Sequence, residues 1–371
     1  MLPHRMKSVI FDSVSKMPIR YVRPIPFSEA DGLVENVYAQ VADEFFINGA
    51  ITTHSVRPPL LAGMWCGGRE IVMVDGAFER EIKEALGVSF AQINGCTYCE
   101  DMMISVVHGT ADHRLASAMR AHEQEGIEDK RTRDLHAWAT NYRNPEADII
   151  QRPPFNAEEA PEMFATALMF NYLNRYVKIF FDGTPLNPPF ASQSIKTAMF
   201  HSFGMELRAT VTKRLKPGRG SALLPQAELP ADITWAAPNP DIATALARWA
   251  AVIEQSAAPD IPERSRAVVT QAIANWRGED MGLSRSWVEP FLTGLGEAEK
   301  AAAKLALITA FAPTQMSDDV AVNFRRHFDG DAAMVSTVSW SAFSTARHIA
   351  AWLADAAGDL AAKDSPHVAA A

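Results

Sequence analysis

Along most of the chain, apolar side chains recur every three to four positions. In Leu33–Glu44 and the residue after it, Leu33, Val37, Val41 and Phe45 form one stripe, the spacing of a helix with a single buried face. Phe78–Ile93 repeats the pattern with Ile82, Ala85, Leu86, Phe90 and Ile93. Met163–Phe181 is almost continuously apolar, which predicts a helix buried on all sides at the centre of the fold. Lys300–Ala312 and Val335–Leu353 have the same character. Period-two alternation of β-branched residues is scarce, so the expected fold class is all-α. The pattern fails between Lys216 and Asp241, where Pro and Gly are dense. This predicts a linker at 216–240 between a first helical unit, 1–215, and a second, 241–371.

The two units share anchors. Trp65 and Trp249 are 184 positions apart, as are Glu79-Arg80 and Glu263-Arg264. Each half also has a long apolar helix carrying an arginine, Arg175 in one and Arg347 in the other. A tandem duplication is the economical reading.

Composition narrows the partners. The 371 residues include 44 acidic and 35 basic ones, for a formal net charge of -9. A protein that neutralises phosphates normally has the opposite balance, so nucleic acid is not an expected partner. Hydrophobic residues at 48% and charged ones at 21% describe a globular chain, not a disordered one. No stretch approaches the roughly 18 apolar residues of a membrane helix, and no unbroken N-terminal apolar run of about 7–15 suggests a secretory signal. The expected location is cytoplasmic, away from the membrane. Three cysteines are too few for a disulfide framework. Cys66 has no matching partner and reads as a small buried hydrophobe.

The chemistry concentrates in Phe78–Met103, where Cys96 and Cys99 form a C-x-x-C just after the turn dipeptide Asn94-Gly95. A helix ending near Ile93, a tight turn and a new helix starting at Cys96 would set both sulfurs near a helix N-terminus. The dipole and unpaired N–H groups there favour thiolate, the nucleophilic form. Two buried structural cysteines are the bland alternative. Zinc would need a second pair of ligands, so no metal is expected. No glycine-rich phosphate loop calls for a nucleotide cofactor. Asn171, Asn174 and Arg175 lie on one apolar helix, either as an interhelical network or as a lining for the dithiol pocket. The basic run Lys213-Arg214-Leu215-Lys216 reads as a solvated helix end.

The segment QINGCTYC resembles the active site of the alkylhydroperoxidase D / carboxymuconolactone decarboxylase family. The family motif is a glutamate, eleven residues, Cys-x-x-Cys, three residues and a histidine; here Glu84, Cys96 and Cys99 keep the spacing and Met103 stands at the histidine position. RYVRPIPFSEADGLVENVYAQV and Phe170–Val177 (FNYLNRYV) also resemble long members of the family. The resemblance implies tandem helical domains of this type with a degenerate second repeat. At the 184 offset, Asp280 and Leu283 replace Cys96 and Cys99, and Val268 replaces Glu84.

The resemblance further implies a thiol-dependent peroxidase that reduces hydroperoxides through a Cys96–Cys99 dithiol–disulfide cycle. No bound cofactor is implied. Electrons would come from an external lipoyl- or thioredoxin-like thiol donor, and related domains form homo-oligomers. Glu84 would carry protons. Cys99 would attack the peroxide and Cys96 resolve the product, whereas the helix-dipole argument makes Cys96 the lower-pKa thiol; both assignments stand at this stage. Tyr98 occupies a place where some relatives carry a histidine, and its hydroxyl can donate a hydrogen bond. Met103 cannot act as a base. His108, about 900° of helix from Cys99, faces away, and His54 and His136 would have to enter from elsewhere. A carboxymuconolactone decarboxylase-like lyase on the same fold, which needs no dithiol, and a non-catalytic redox sensor are the competing functions.

Overall fold

The computed structural model describes residues 16–110, 113–184, 186, 192–358 and 360. Among them the structure is all-α, its one β-type pairing an isolated bridge between Ile19 and Phe181. The longer helices of the first half are α1 (Gly32–Glu44), α2 (Pro58–Gly67), α3 (Arg80–Ile93), α4 (Thr97–Thr110), α5 (Lys130–Thr140), α6 (Ala160–Phe180) and α7 (Gln193–Val211). Those that follow are α8 (Pro240–Asp260), α9 (Glu263–Asn275), α10 (Glu297–Phe311) and α11 (Gly330–Ala357). Helices stand where the hydrophobic period predicts them. The last is longer than its apolar pattern suggests, because its small residues pack as well as its large ones.

Helix α6 is the axis of the molecule. Pro161 sits in its first turn, where the missing N–H costs nothing, and nearly every side chain to Phe180 is buried. It packs against α3 on one side and along α11 on another. A second close contact comes from glycine. A Cβ on Gly67 would lie 2.4 Å from the Trp249 ring, and one on Gly63 would lie 2.7 Å from it. The bare face of α2 therefore admits the indole of α8. Trp249 in turn meets Tyr172 of α6 edge-on at 4.9 Å and Phe343 of α11 at 4.6 Å. One continuous apolar core, from Val22 to Leu360, results.

The Pro/Gly-rich segment is pinned to that core. Gly218 and Gly220 donate their N–H groups to the Glu70 carboxylate at 2.7 and 2.6 Å, and Arg69 donates to the Lys216 carbonyl at 3.0 Å. Arg69 and Glu70 lie on a π-type turn, Gly68–Met73, that continues α2. Arg69 is itself paired with Glu44 at 2.6 Å and Glu70 at 2.7 Å, so this buried charge cluster satisfies itself. A second buried pair fixes the start of α3. Lys83 donates to the Val74 carbonyl at 2.6 Å and to Glu162 of α6 at 3.1 Å. Glu162 also accepts from the Ala77 N–H at 2.6 Å.

Candidate active site

The α3–α4 corner is built by its turn. Gly95 takes a φ of +61°, in the left-handed region that favours glycine. Its N–H donates to the Gln92 carbonyl at 3.0 Å, and the Cys96 N–H reaches the Ala91 carbonyl at 2.9 Å. This pair of bonds is a Schellman end to α3. The next helix starts at once, with the Glu100 N–H on the Cys96 carbonyl at 2.9 Å. Cys96 and Cys99 are thus held one turn apart and are joined as a disulfide, their Cα atoms 5.3 Å apart.

The two sulfurs border different spaces. Cys99 lines an inner cavity of about 90 Å³, with room for several water-sized groups. Met73, Met103, Met169, Phe170, Tyr98 and Glu84 are among its walls. Cys96 lines an outer cavity of about 280 Å³ together with Arg20, Lys178, Asp182, Thr314 and Met316. Tyr98 borders both, its ring 4.6 Å from Phe181, and burial pushes its phenol well above the usual range.

Glu84 is the carboxylic acid in the wall of the inner cavity. It is 1% exposed. Its Oε1 accepts from Arg80 Nε one turn earlier at 2.7 Å, and its Oε2 has no hydrogen-bond partner. Burial pushes the carboxyl up to about 7, against the opposing pull of Arg80. Such a group gains and loses a proton near neutrality. The cavity wall around it depends on Gly87, one turn along α3. A Cβ there would lie 2.4 Å from Phe170 Cζ and 3.1 Å from Met103 Cε.

The remaining candidates stand elsewhere. His54 Nε2 is 2.6 Å from the Tyr172 hydroxyl and its ring stacks on Tyr176 at 3.8 Å; burial lowers it to about 3. His136 bonds to the Ser89 hydroxyl at 2.8 Å. His108 lies at the far end of α4, its Nδ1 3.1 Å from that of His113, and burial lowers it to about 4. None of these histidines lines the inner cavity. Cys66 is fully buried against the Ser221 hydroxyl, and burial pushes its thiol up to about 12. Asp280 and Leu283 lie in the loop after α9, with Leu283 wholly exposed. Among the described residues no group of three or more His, Cys, Asp or Glu is placed to hold a metal, and no helix is long and apolar enough to cross a membrane.

No family model matches the chain. An alkyl hydroperoxide reductase from Mycobacterium tuberculosis is 30% identical to it over 350 residues, which cover 94% of this chain and 98% of that one. The chain belongs to the alkylhydroperoxidase-like family.

In this alkylhydroperoxidase-like protein the corner is also braced by cations from α6 and from the loop after α5. Lys178 donates to the Asn94 carbonyl at 2.6 Å, and Arg143 Nη2 reaches Asn94 Oδ1 at 3.3 Å. Burial, with Arg143 and Arg175 alongside, lowers the Lys178 ammonium to about 8. Asn174, Arg175 and Lys178 share one stripe of α6, a spacing that was visible, but Arg143 arrives from a distant loop. Asn171 and Arg175 do form a network, Arg175 Nη1 donating to Asn171 Oδ1 at 2.8 Å and its Nε to the Ala310 carbonyl at 2.9 Å. Asn174 and Arg175 also line a cavity on the outer side of the corner.

Proposed function

We propose that this alkylhydroperoxidase-like protein is a thiol-dependent peroxidase that reduces organic hydroperoxides. One observation carries the reading. A buried carboxyl that titrates near 7 shares an apolar, methionine-rich cavity with one sulfur of a C-x-x-C, while the other sulfur borders a separate polar cavity. In this scheme Glu84 takes the proton of the Cys99 thiol. The Cys99 thiolate attacks the outer peroxide oxygen, the O–O bond breaks, and Cys99 becomes a sulfenic acid. Glu84 returns its proton to the departing alkoxide, releasing an alcohol. Tyr98, between the cavities, offers its hydroxyl as a hydrogen-bond donor. The Cys96 thiol then attacks the sulfenic sulfur, forming the disulfide and releasing water. An external dithiol reduces the disulfide to complete the cycle.

The apolar lining fits the alkyl part of a hydroperoxide. The duplication reading leaves all of this chemistry in the first copy, since Asp280 and Leu283 occupy a loop in the second. The test is turnover of purified protein with an alkyl hydroperoxide and dithiothreitol. Sustained consumption of peroxide that is lost in the Cys96→Ser/Cys99→Ser double variant is the expected result. One round of disulfide formation without turnover would make the protein a redox sensor, the reading that Met103 favours by removing a proton carrier. Peroxide consumption surviving in the double variant would overturn the dithiol reading.

A further inference from the structure

A cavity of about 270 Å³ lies on the outer side of the α3–α4 corner, between Gln92–Gly95, α6 and residues from the second half, including Asp280 and Thr314. Arg143, Arg175 and Lys178 all line it. Among the described residues none of the three is within ion-pair distance of a carboxylate: their hydrogen bonds go to carbonyls, to an amide oxygen and to the Tyr142 hydroxyl. Arg175 is 4% exposed. A buried cation with only neutral partners is costly unless an anion joins it. A second observation points the same way. Asn174 also lines the cavity, is 0% exposed, and has no hydrogen-bond partner on either its amide nitrogen or its oxygen. Buried amides are rarely left so unless a ligand or water completes them. Asp280 is the acidic group on the wall; its Oδ1 accepts from the Gly282 N–H at 2.8 Å.

This cavity adjoins the one bordered by Cys96, with Gly95, Lys178 and Thr314 in the walls of both. We propose that Arg143, Arg175, Lys178 and Asn174 form an anion subsite that seats the carboxylate of a small thiol reductant, presenting its sulfur to Cys96. The inference rests on the dithiol cycle proposed above and names the chemistry of its reductant. The thiolate attacks Cys96 Sγ, the Cys96–Cys99 bond breaks, and Cys99 leaves as thiolate. A second thiolate then attacks the reductant's sulfur in the mixed disulfide, releasing a symmetrical disulfide and the Cys96 thiolate. Asp280 on the same wall offsets one of the three cations and leaves the cavity positive enough to hold an anion.

The experiment compares thiols of equal reach and different charge: 3-mercaptopropionate, 2-mercaptoethanol and cysteamine. Each reduces the disulfide form of the intact protein, and the rates are expressed per thiolate. The expected order is anionic, neutral, cationic, with the anionic thiol favoured about tenfold over the neutral one. In Arg143→Gln, and in Lys178→Gln, the ratio of anionic to neutral rates falls toward one. Equal rates for the three thiols on the wild-type protein overturn the proposal without any variant. Inhibition by inorganic phosphate with no advantage for 3-mercaptopropionate overturns it too, and assigns the site to phosphate. Failure of uncharged dithiothreitol to reduce the disulfide would instead overturn the dithiol cycle, and this inference with it.

Discussion

The two sulfurs of one disulfide border opposite kinds of space. On the inner side, Cys99 meets thioethers, aromatic rings and a single carboxyl in a small cavity. On the outer side, Cys96 meets Arg20, Lys178 and Asp182, next to a second cavity walled by further cations. The inner side suits an uncharged oxidant and a proton carrier with a raised pKa. The outer side suits a polar or anionic reductant. The difference teaches that a C-x-x-C at a helix start need not be symmetrical in its surroundings. The turn at Gly95 and the neighbours on α6 assign each sulfur its surroundings, whatever the helix dipole contributes to either thiol.

The comparison breaks most easily at Glu84. Glu84→Gln should slow peroxide oxidation of the reduced protein by about a hundredfold, within the usual range for loss of a proton carrier. The wild-type rate should rise as pH increases through about 7, where the carboxyl becomes a base, and the variant should lose that inflection. Stopped-flow oxidation across pH 5–9 (a span of about four units) reads both effects. The same group bears on stability. Its folded pKa lies above the unfolded value, so its favourable contribution is complete below about 4.5 and is lost as pH rises through about 7. The melting temperature of Glu84→Gln relative to wild type should therefore be higher at pH 8 than at pH 4, by thermal unfolding at about those two values.

Met103 sharpens the comparison in the other direction. Met103→His places an imidazole on the inner cavity, one turn from Cys99. Oxidation should become faster by about tenfold, the lower side of a general acid–base contribution. An unchanged rate would mean that Glu84 alone handles the proton. The smallest effect is expected at Gly87. In Gly87→Ala the new methyl group displaces Phe170 and Met103 toward the cavity, at a cost of about 1–3 kcal/mol in stability. The rate with a bulky hydroperoxide should fall several-fold more than the rate with hydrogen peroxide. Equal losses would place the alkyl group outside this cavity.

Much of this corner is legible in the sequence. The stripe through Ile82, Leu86, Phe90 and Ile93 marks α3, and Asn94-Gly95 marks its end, because both signals are local. Glu84 was singled out by the spacing of a resembling motif. That its carboxyl is buried, and half unpartnered, depends on α6 and on Phe170, which a local pattern does not report. The direction of each sulfur was equally hidden. It depends on what lines the cavity beside each sulfur, including Thr314 and Met316 from more than 200 residues away. Lys178 sat in plain view on a stripe with Asn174 and Arg175, yet its meaning required Arg143 from another loop. The pinning of the Pro/Gly segment by Glu70 shows the same limit: composition marks a break in helix but not what the broken segment is tied to.

The assignment of the inner sulfur is the centre of the account, and chemical trapping tests it directly. Reduced Cys96→Ser and Cys99→Ser are each treated with one equivalent of an alkyl hydroperoxide in the presence of dimedone, and the adduct is located by mass spectrometry. The account predicts a rapid sulfenic acid adduct on Cys99 in Cys96→Ser, and little adduct on Cys96 in Cys99→Ser. Rapid labelling of Cys96 in Cys99→Ser, with Cys99 inert in Cys96→Ser, would contradict it.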